Sequence, residues 1–272
     1  MVEDVLLEYD QYFFIHPNFE LQWFKDERNA FVLSIDIAEG KGGDYTIINF
    51  FQVLPMTPLE IEGVKILNDE ESFFKLVQVA MFRSNMVETP ECANWLYHFI
   101  NGYMIQDNLK IIIENNFEGN YFRNTLMNIY GEQNELDEDV IFCKFLYNAR
   151  DDNARTFRVG IYQTEPRKQH SCKIFSDQLK NNQLVLTEFM TIQEAMTFAR
   201  SEKSSSYRAS SGHDDCVMTC VNVVNIRDIE EWSELVEIVS ENCTNEFWKL
   251  VDKKLGKQAE RNDELDISDY YD

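Results

Sequence analysis

One segment constrains the fold of this chain more than any other. Residues 108–114 read Asn-Leu-Lys-Ile-Ile-Ile-Glu, which is almost wholly apolar until the final carboxylate. Such a run predicts a strand buried on both faces, at the centre of a helix-covered sheet. Residues 117–130 then predict a helix and 140–145 a further strand. This β-α-β order predicts parallel strands and an α/β fold.

The preceding half of the chain predicts antiparallel strands instead. Residues 30–36 and 45–53 are rich in β-formers, and the Gly-Lys-Gly-Gly turn at 40–43 separates them, as in a hairpin. A third strand is predicted over 74–82. A helix is predicted to start at Thr89, with Thr89 as N-cap, and another over 191–199, where Thr191 and Glu194 have the spacing of a capping box. The fold class is therefore a mixed central sheet, with antiparallel first strands and parallel later strands, flanked by helices.

Length and composition fit one large domain with a few additions. The chain has 272 residues, and 44% hydrophobic residues supply a packed core. We divide the chain into a lead-in segment (1–29), the α/β domain (30–227), C-terminal helices packed on it (228–257) and an acidic tail predicted to be disordered (258–272).

Composition also excludes several classes of protein. No apolar run approaches the ~20 residues that span a bilayer, and the chain opens on an acidic segment, unlike a signal peptide. The sequence therefore predicts no membrane partner and no secretion. The 6 cysteines form no CxxC pair, which argues against a zinc site and favours reduced thiols.

Acidic side chains occupy three positions where a buried charge would be costly. Asp36 and Glu114 end the apolar strands, and Asp214 and Asp215, preceded by His213, begin a predicted amphipathic helix. Each acid alone could be a turn former or a helix cap. Acids at the ends of neighbouring strands would repel one another unless a cation lay between them, and oxygen ligands favour a hard divalent ion.

Three motifs that contain these acids follow one another along the chain. They read Ile-Asp-Ile-Ala-Glu-Gly-Lys-Gly-Gly-Asp-Tyr over 35–45, Ile-Ile-Glu-Asn-Asn over 112–116 with Gly119, and Gly-His-Asp-Asp-Cys-Val-Met over 212–218. In this order they resemble the nuclease domain of the large terminases of tailed bacteriophages, within the ribonuclease H-like superfamily. Gly160, the Arg-Lys pair at 167–168 and the Thr-Ile-Gln-Glu segment at 191–194 resemble the T-even-like members. The resemblance covers residues 31–225.

The resemblance implies a ribonuclease H-like fold and a metal-dependent endodeoxyribonuclease, a phosphodiester hydrolase that cuts concatemeric viral DNA for packaging. Asp36, Glu114 and Asp215 would be the catalytic metal ligands. Asp214 would also bind the metal, would bind it in place of Asp215, or would support Asp215. The cofactor would be Mg²⁺ or Mn²⁺ in a two-metal site.

Further roles follow from the same resemblance. Glu39, Asp44 and His213 would support the ligands or face DNA. Because His213 precedes Asp215 at one residue less than the HxxD-like spacing of related resolvases, the roles of His213 and Asp214 stay open. The implied partners are double-stranded DNA, the terminase ATPase domain, the portal protein and the small terminase. The implied location is the host cytoplasm.

The net charge of −23 predicts weak affinity for DNA by this chain alone. Candidate DNA contacts are therefore local, at Lys41, Arg167, Lys168 and Arg208. No GxxxxGK[ST] loop is present, so we expect no ATP hydrolysis and a fragment that lacks the ATPase motor.

Three other functions are compatible with parts of this pattern. A Holliday-junction-type resolvase of the same fold would share the acids. A non-catalytic module that docks a portal or motor would bind without metal-dependent cutting. An acidic structural domain would carry the motifs by coincidence.

Overall fold

A computed structural model describes residues 10–63, 69–134, 148–149, 158–200, 207–210 and 212–256. Within these ranges, no helix is both long and apolar enough to cross a membrane. The strand predicted over 140–145 and the tail predicted over 258–272 lie outside the described residues.

A mixed sheet forms the centre of the molecule. Its strands are β1 (Phe13–Ile15), β2 (Ala30–Asp36), β3 (Thr46–Pro55), β4 (Phe74–Ser84), β5 (Leu109–Ile113) and β8 (Leu184–Val185). They run in the order β1-β4-β3-β2-β5, and β8 pairs with β4. Each neighbouring pair among β1 to β4 is antiparallel, whereas β5 is parallel to β2 and β8 is parallel to β4.

Two short antiparallel ladders lie outside the central sheet. One joins β6 to β7, and the other joins β9 to β10 as a hairpin. Their strands are β6 (Asn148–Ala149), β7 (Arg158–Val159), β9 (Phe198–Arg200) and β10 (Tyr207–Ala209).

Helices cover both faces of the central sheet because its strands are apolar on both sides. The α-helices in the described residues are α1 (Pro58–Gly63), α2 (Thr89–Tyr103), α3 (Phe117–Asn134), α4 (Glu165–Lys180), α5 (Phe189–Thr197), α6 (Asp215–Val223), α7 (Glu230–Ser240) and α8 (Asn245–Leu255). In β2, Phe31 and Leu33 face one core with α2 and α3, whereas Val32 faces a second core with α4, α6, α7 and α8.

This architecture confirms the predicted α/β fold class, a mixed central sheet with antiparallel and parallel strands flanked by helices. The aromatic and charged sequence of the lead-in predicts an irregular segment, but its residues 13–15 form β1, an edge strand beside β4. Phe24 in the lead-in is also fully buried against Phe31 and Phe50. Aromatic packing fixes this segment, although its sequence has no clean period.

Two helix starts differ from the prediction. Glu88, not Thr89, occupies the N-cap of α2, and the Thr89 hydroxyl donates to Glu118 instead. Thr191 and Glu194 are spaced as a capping box, but Glu188 caps α5 by accepting from the N–H groups of Met190 and Thr191. Ser/Thr spacing alone cannot identify a cap when a carboxylate about one turn earlier begins the helix and leaves the Thr inside it.

Two glycines allow close approaches beside the end of β5. A Cβ on Gly119, in the first turn of α3, would lie 1.9 Å from the Glu114 carbonyl oxygen. Gly160 has a φ of +83°, and a Cβ there would lie 2.5 Å from the Ile113 carbonyl oxygen. Ile161 follows in parallel pairing with Glu114. The backbone around Glu114 is therefore closely packed from two sides.

We predict that Gly119→Ala destabilises the protein by about 3 kcal/mol, because the added methyl group overlaps a backbone carbonyl in a packed region. Gly131→Ala is the matched control on the same helix, since a Cβ at Gly131 meets nothing within 4 Å. The control should instead raise the free energy of unfolding by roughly 0.5–1 kcal/mol, because Ala has a higher helix propensity than Gly. Urea denaturation followed by circular dichroism measures both, and equal effects would contradict the prediction.

Candidate active site

The parallel pairing of β2 and β5 brings two predicted acids to one edge of the sheet. Ile35 is in register with Ile113, and the N–H of Glu114 donates to the Ile35 carbonyl at 2.9 Å. Asp36 is the last residue of β2, and Glu114 directly follows β5. Both side chains are half-buried and line the same cleft, which has a volume of about 460 Å³.

A third carboxylate reaches this cleft from the start of α6. Asp215 is the first residue of α6, and its carboxylate accepts the Tyr45 N–H at 2.9 Å. Asp214 occupies the N-cap position, but its side chain makes no capping hydrogen bond. Asp36, Glu114 and Asp215 all line the cleft, together with the predicted supporting acids Glu39 and Asp44.

Amide side chains hold two of these carboxylates. The Asn222 side chain, fully buried on α6, donates to Glu114 at 3.0 Å and accepts from Gln163. Asn116 donates to Asp36 at 3.4 Å and accepts the N–H of Gly119. Sequence reasoning did not identify Asn116 or Asn222. Asn222 lies two helical turns after Asp215 and so shares its helix face, which could have indicated a position near the cleft but not that Glu114 is its partner.

His213 lies at the rim of the cleft between two acids. Its Nδ1 is 3.8 Å from an Asp44 carboxylate oxygen and 3.6 Å from an Asp215 carboxylate oxygen. The Tyr45 ring meets the His213 ring edge-on, with centroids 5.2 Å apart. The Arg83 guanidinium lies 3.5 Å from the centroid of the Tyr45 ring. This stack fixes the imidazole beside Asp215.

Burial and mutual repulsion shift the acids toward their protonated forms. Burial first, and then the charges of Glu114 and Asp215, raise the pKa of Asp36 well above its ordinary value. Burial also raises the pKa of Glu114, although the Asn222 hydrogen bond and the charge of Lys168 oppose that shift. Burial likewise raises the pKa of Asp215 against the Tyr45 hydrogen bond.

This donor set fits a hard divalent cation. Three carboxylates from separate elements line one cleft, and the pKa of each is raised first by burial and then by neighbouring negative charge. Carboxylate oxygens are the ligands that Mg²⁺ and Mn²⁺ prefer. A cation at this point would offset both the burial and the repulsion of the charges.

The predicted DNA contacts differ in their surroundings. Lys41 is exposed at the cleft and pairs with Glu39 at 2.8 Å. Arg167 and Lys168 lie in the first turn of α4, and the Lys168 ammonium is 5.9 Å from the centroid of the Phe198 ring. Arg208 lies in β10, paired with β9. Of these four, Lys168 acts on the pKa of Glu114, so its charge reaches the carboxylate cluster.

Comparison with known proteins gives similarity at the level of structure. Neither the protein-family models nor the curated proteins match the chain. Solved structures of the large terminase nuclease from thermophilic phage G20c, with bound cobalt and with bound magnesium, each share 12% identity with it and give a TM-score of 0.44. Each alignment covers 78% of this chain and 84% of the solved chain. A further structure of that nuclease gives a TM-score of 0.43 at 12% identity, over 77% and 83% of the two chains. The chain is thus similar in structure to a large terminase nuclease over most of its length.

We predict that Asp36→Asn stabilises the metal-free protein at pH 8 by about 1 kcal/mol, because the amide removes a repelled, buried charge. The raised pKa means that the folded state binds more protons than the unfolded state. The free energy of unfolding therefore falls as pH rises above the ordinary Asp range, and the variant should lose this part of the pH dependence.

Urea denaturation in EDTA at pH 5 and pH 8 measures this effect. The control Asp177→Asn changes an exposed acid on α4 and should leave the pH dependence unaltered. An Asp36→Asn variant less stable than the wild type at pH 8 would contradict the prediction.

Proposed function

We propose that this chain is a metal-dependent DNA endonuclease. The observation that carries the proposal is the convergence of Asp36, Glu114 and Asp215 in one cleft, each from a different element of the fold. The order of the three sequence motifs and the fold are consistent with it. Carboxylates fixed at the ends of buried strands are preorganised to hold cations, as phosphodiester hydrolysis requires.

Asp36, Glu114 and Asp215 would hold one or two Mg²⁺ or Mn²⁺ ions, which when bound activate water and stabilise charge on the reacting phosphate. Asp215 is favoured over Asp214 as a ligand, because Asp215 lines the cleft whereas Asp214 occupies the N-cap of α6. Asn222 orients the Glu114 carboxylate through its hydrogen bond. Lys168 supplies positive charge on the side of Glu114, where it would attract a phosphate.

His213 would handle protons at the rim of this site. An imidazole can both accept and donate a proton. Its Nδ1 lies close to Asp44 and Asp215, which keep the ring at the cleft. We assign His213 and Asp44 to this supporting role, and Glu39 with Lys41 to the exposed side of the cleft where DNA would enter.

The motif resemblance extends this proposal to a biological setting. The substrate would be concatemeric viral DNA, cut during packaging in the host cytoplasm. The partners would be a terminase ATPase, a portal protein and a small terminase. The net charge of −23 lowers the affinity of this chain for DNA, so such partners would supply most of the DNA binding.

Plasmid cleavage with Mg²⁺, Mn²⁺ or EDTA tests the proposal. The wild type should nick and linearise the plasmid with either metal and not in EDTA. Asp36→Ala and Asp215→Ala should each lower the rate about a hundredfold or more, as for loss of a group that organises transition-state charge. Asp214→Ala should lower the rate by no more than about tenfold, as for a residue that only supports a ligand.

The controls separate the competing functions. Asp177→Ala, an exposed acid on α4, should cut at the wild-type rate. Cleavage confined to branched DNA would favour a junction resolvase. A folded wild type that fails to cut DNA with Mg²⁺ or Mn²⁺ would favour a docking module. Cutting that survives both Asp36→Ala and Asp215→Ala would place the active site elsewhere.

A second prediction concerns Asn222. Asn222→Asp replaces the donor to Glu114 with another carboxylate, so the cleavage rate at neutral pH should fall about 10–100-fold. Asn225→Asp is the matched control, because Asn225 bonds Ser171 and the backbone rather than Glu114. Single-turnover cleavage rates of both variants measure the effect, and equal losses would contradict a specific role for Asn222.

A further inference from the structure

A buried carboxylate outside the cleft contacts the start of α6. Glu194 lies on α5 and is only 7% exposed. One of its oxygens, Oε2, accepts the N–H of Cys216 at 2.8 Å and the N–H of Val217 at 3.1 Å. These are the two residues that directly follow Asp215. Glu194 therefore binds the first turn of the helix that begins with Asp215.

The start of α6 lacks the usual local cap. The first N–H groups of a helix have no partner within the helix, and a side chain at the N-cap commonly accepts from one of them. Asp214 stands at that position but makes no such bond. Glu194 takes its place from a different helix, and its negative charge suits the positive end of the α6 dipole.

The sheet holds α6 mainly beyond its first turn. Ser34 on β2 donates to the Thr219 carbonyl at 2.7 Å, and Asn49 on β3 donates to the Thr219 hydroxyl at 2.6 Å. Thr219 lies one turn beyond Asp215, and Asn49 reaches the first turn through a longer bond of 3.4 Å to the Cys216 carbonyl. Glu194 therefore bonds the N–H groups next to Asp215, upstream of the Thr219 anchors.

We propose that Glu194 is a positioning residue that holds the first turn of α6 so that the Asp215 carboxylate faces Asp36 and Glu114 at the metal site. This inference rests on the proposed function. Burying a carboxylate in the core costs free energy. If Glu194 only stabilised the helix, a Ser or Thr at the N-cap of α6 could do so without that cost. A carboxylate from α5 instead ties the position of Asp215 to a second element.

Variants at Glu194 can separate positioning from capping. Glu194→Gln keeps an oxygen that can accept both N–H groups, so it should bind Mn²⁺ and cut DNA within about threefold of the wild type. Glu194→Ala removes the acceptor, so its Mn²⁺ dissociation constant and its half-saturating Mn²⁺ concentration for cleavage should rise about tenfold or more. Glu194→Asp keeps the charge, but its side chain is one methylene shorter, so its oxygen lies farther from the two N–H groups. The Mn²⁺ dissociation constant of this variant should lie between those of the wild type and Glu194→Ala.

The matched control is Thr244→Ala, which removes the N-cap of α8 far from the site in sequence. It should lower the melting temperature but leave the Mn²⁺ dissociation constant unchanged. Calorimetric titration of Mn²⁺ into each purified variant gives the binding constant without reference to activity. If the alanine variant does not fold, the aspartate variant supplies the comparison.

Two results would overturn the inference. One is a folded Glu194→Ala or Glu194→Asp variant with wild-type Mn²⁺ affinity and only a lowered melting temperature, as in Thr244→Ala. The other is a Glu194→Gln variant as impaired as Glu194→Ala, which would mean that the bonds to α6 are not what matters. A wild type that binds Mn²⁺ but does not cut DNA would refute the nuclease function alone, since the comparison of affinities would still test Glu194.

Discussion

Repulsion among the carboxylates of Asp36, Glu114 and Asp215 is the constraint on which the rest of this structure depends. Charges this close oppose the compact state, so the fold must supply the free energy that holds them together. Hydrogen bonding between β2 and β5 fixes two of them, because the strands are buried and parallel. The third depends on the placement of α6, which buried hydrogen bonds from Ser34 and Asn49 on the sheet hold.

These polar contacts form a continuous network across the sheet. Gln78 on β4 donates to Asn49 at 2.7 Å and to Thr191 at 3.0 Å, and Asn49 in turn bonds Thr219 on α6. An unsatisfied buried polar group costs about 1–3 kcal/mol. Moving α6 by one turn would break several of these bonds at once, whereas apolar contacts alone would tolerate such a slide. The network therefore specifies one register for α6, and with it the position of Asp215.

Local pattern predicted the parts of this arrangement that depend on local chemistry. Apolar runs that end in an acid predicted the two strands and made Asp36 and Glu114 candidate ligands. The parallel pairing of β2 with β5, which brings both acids to one edge of the sheet, was not predicted. The partners of these acids could not be predicted in the same way. Asn222 reaches Glu114 across 108 positions of sequence, and an asparagine on an apolar helix is equally consistent with a bond to its own backbone. Glu194 fitted a local capping box with Thr191, and only the packing of α5 on α6 gives it another partner.

The net charge of −23 can be interpreted together with the carboxylate cluster of the cleft. Near the cleft, Lys41 is paired with Glu39 and the charge of Lys168 acts on Glu114, so acids offset part of the positive charge that these two side chains would present to a phosphate. A phosphate approaching the metal-free cleft would meet mainly carboxylates. On the proposed function, positive potential for DNA would come with the bound cations, and metal and DNA would each raise the affinity for the other by the same factor. On that proposal an acidic protein could bind a polyanion selectively, because the carboxylate cluster that would repel DNA would also hold the cations that attract it.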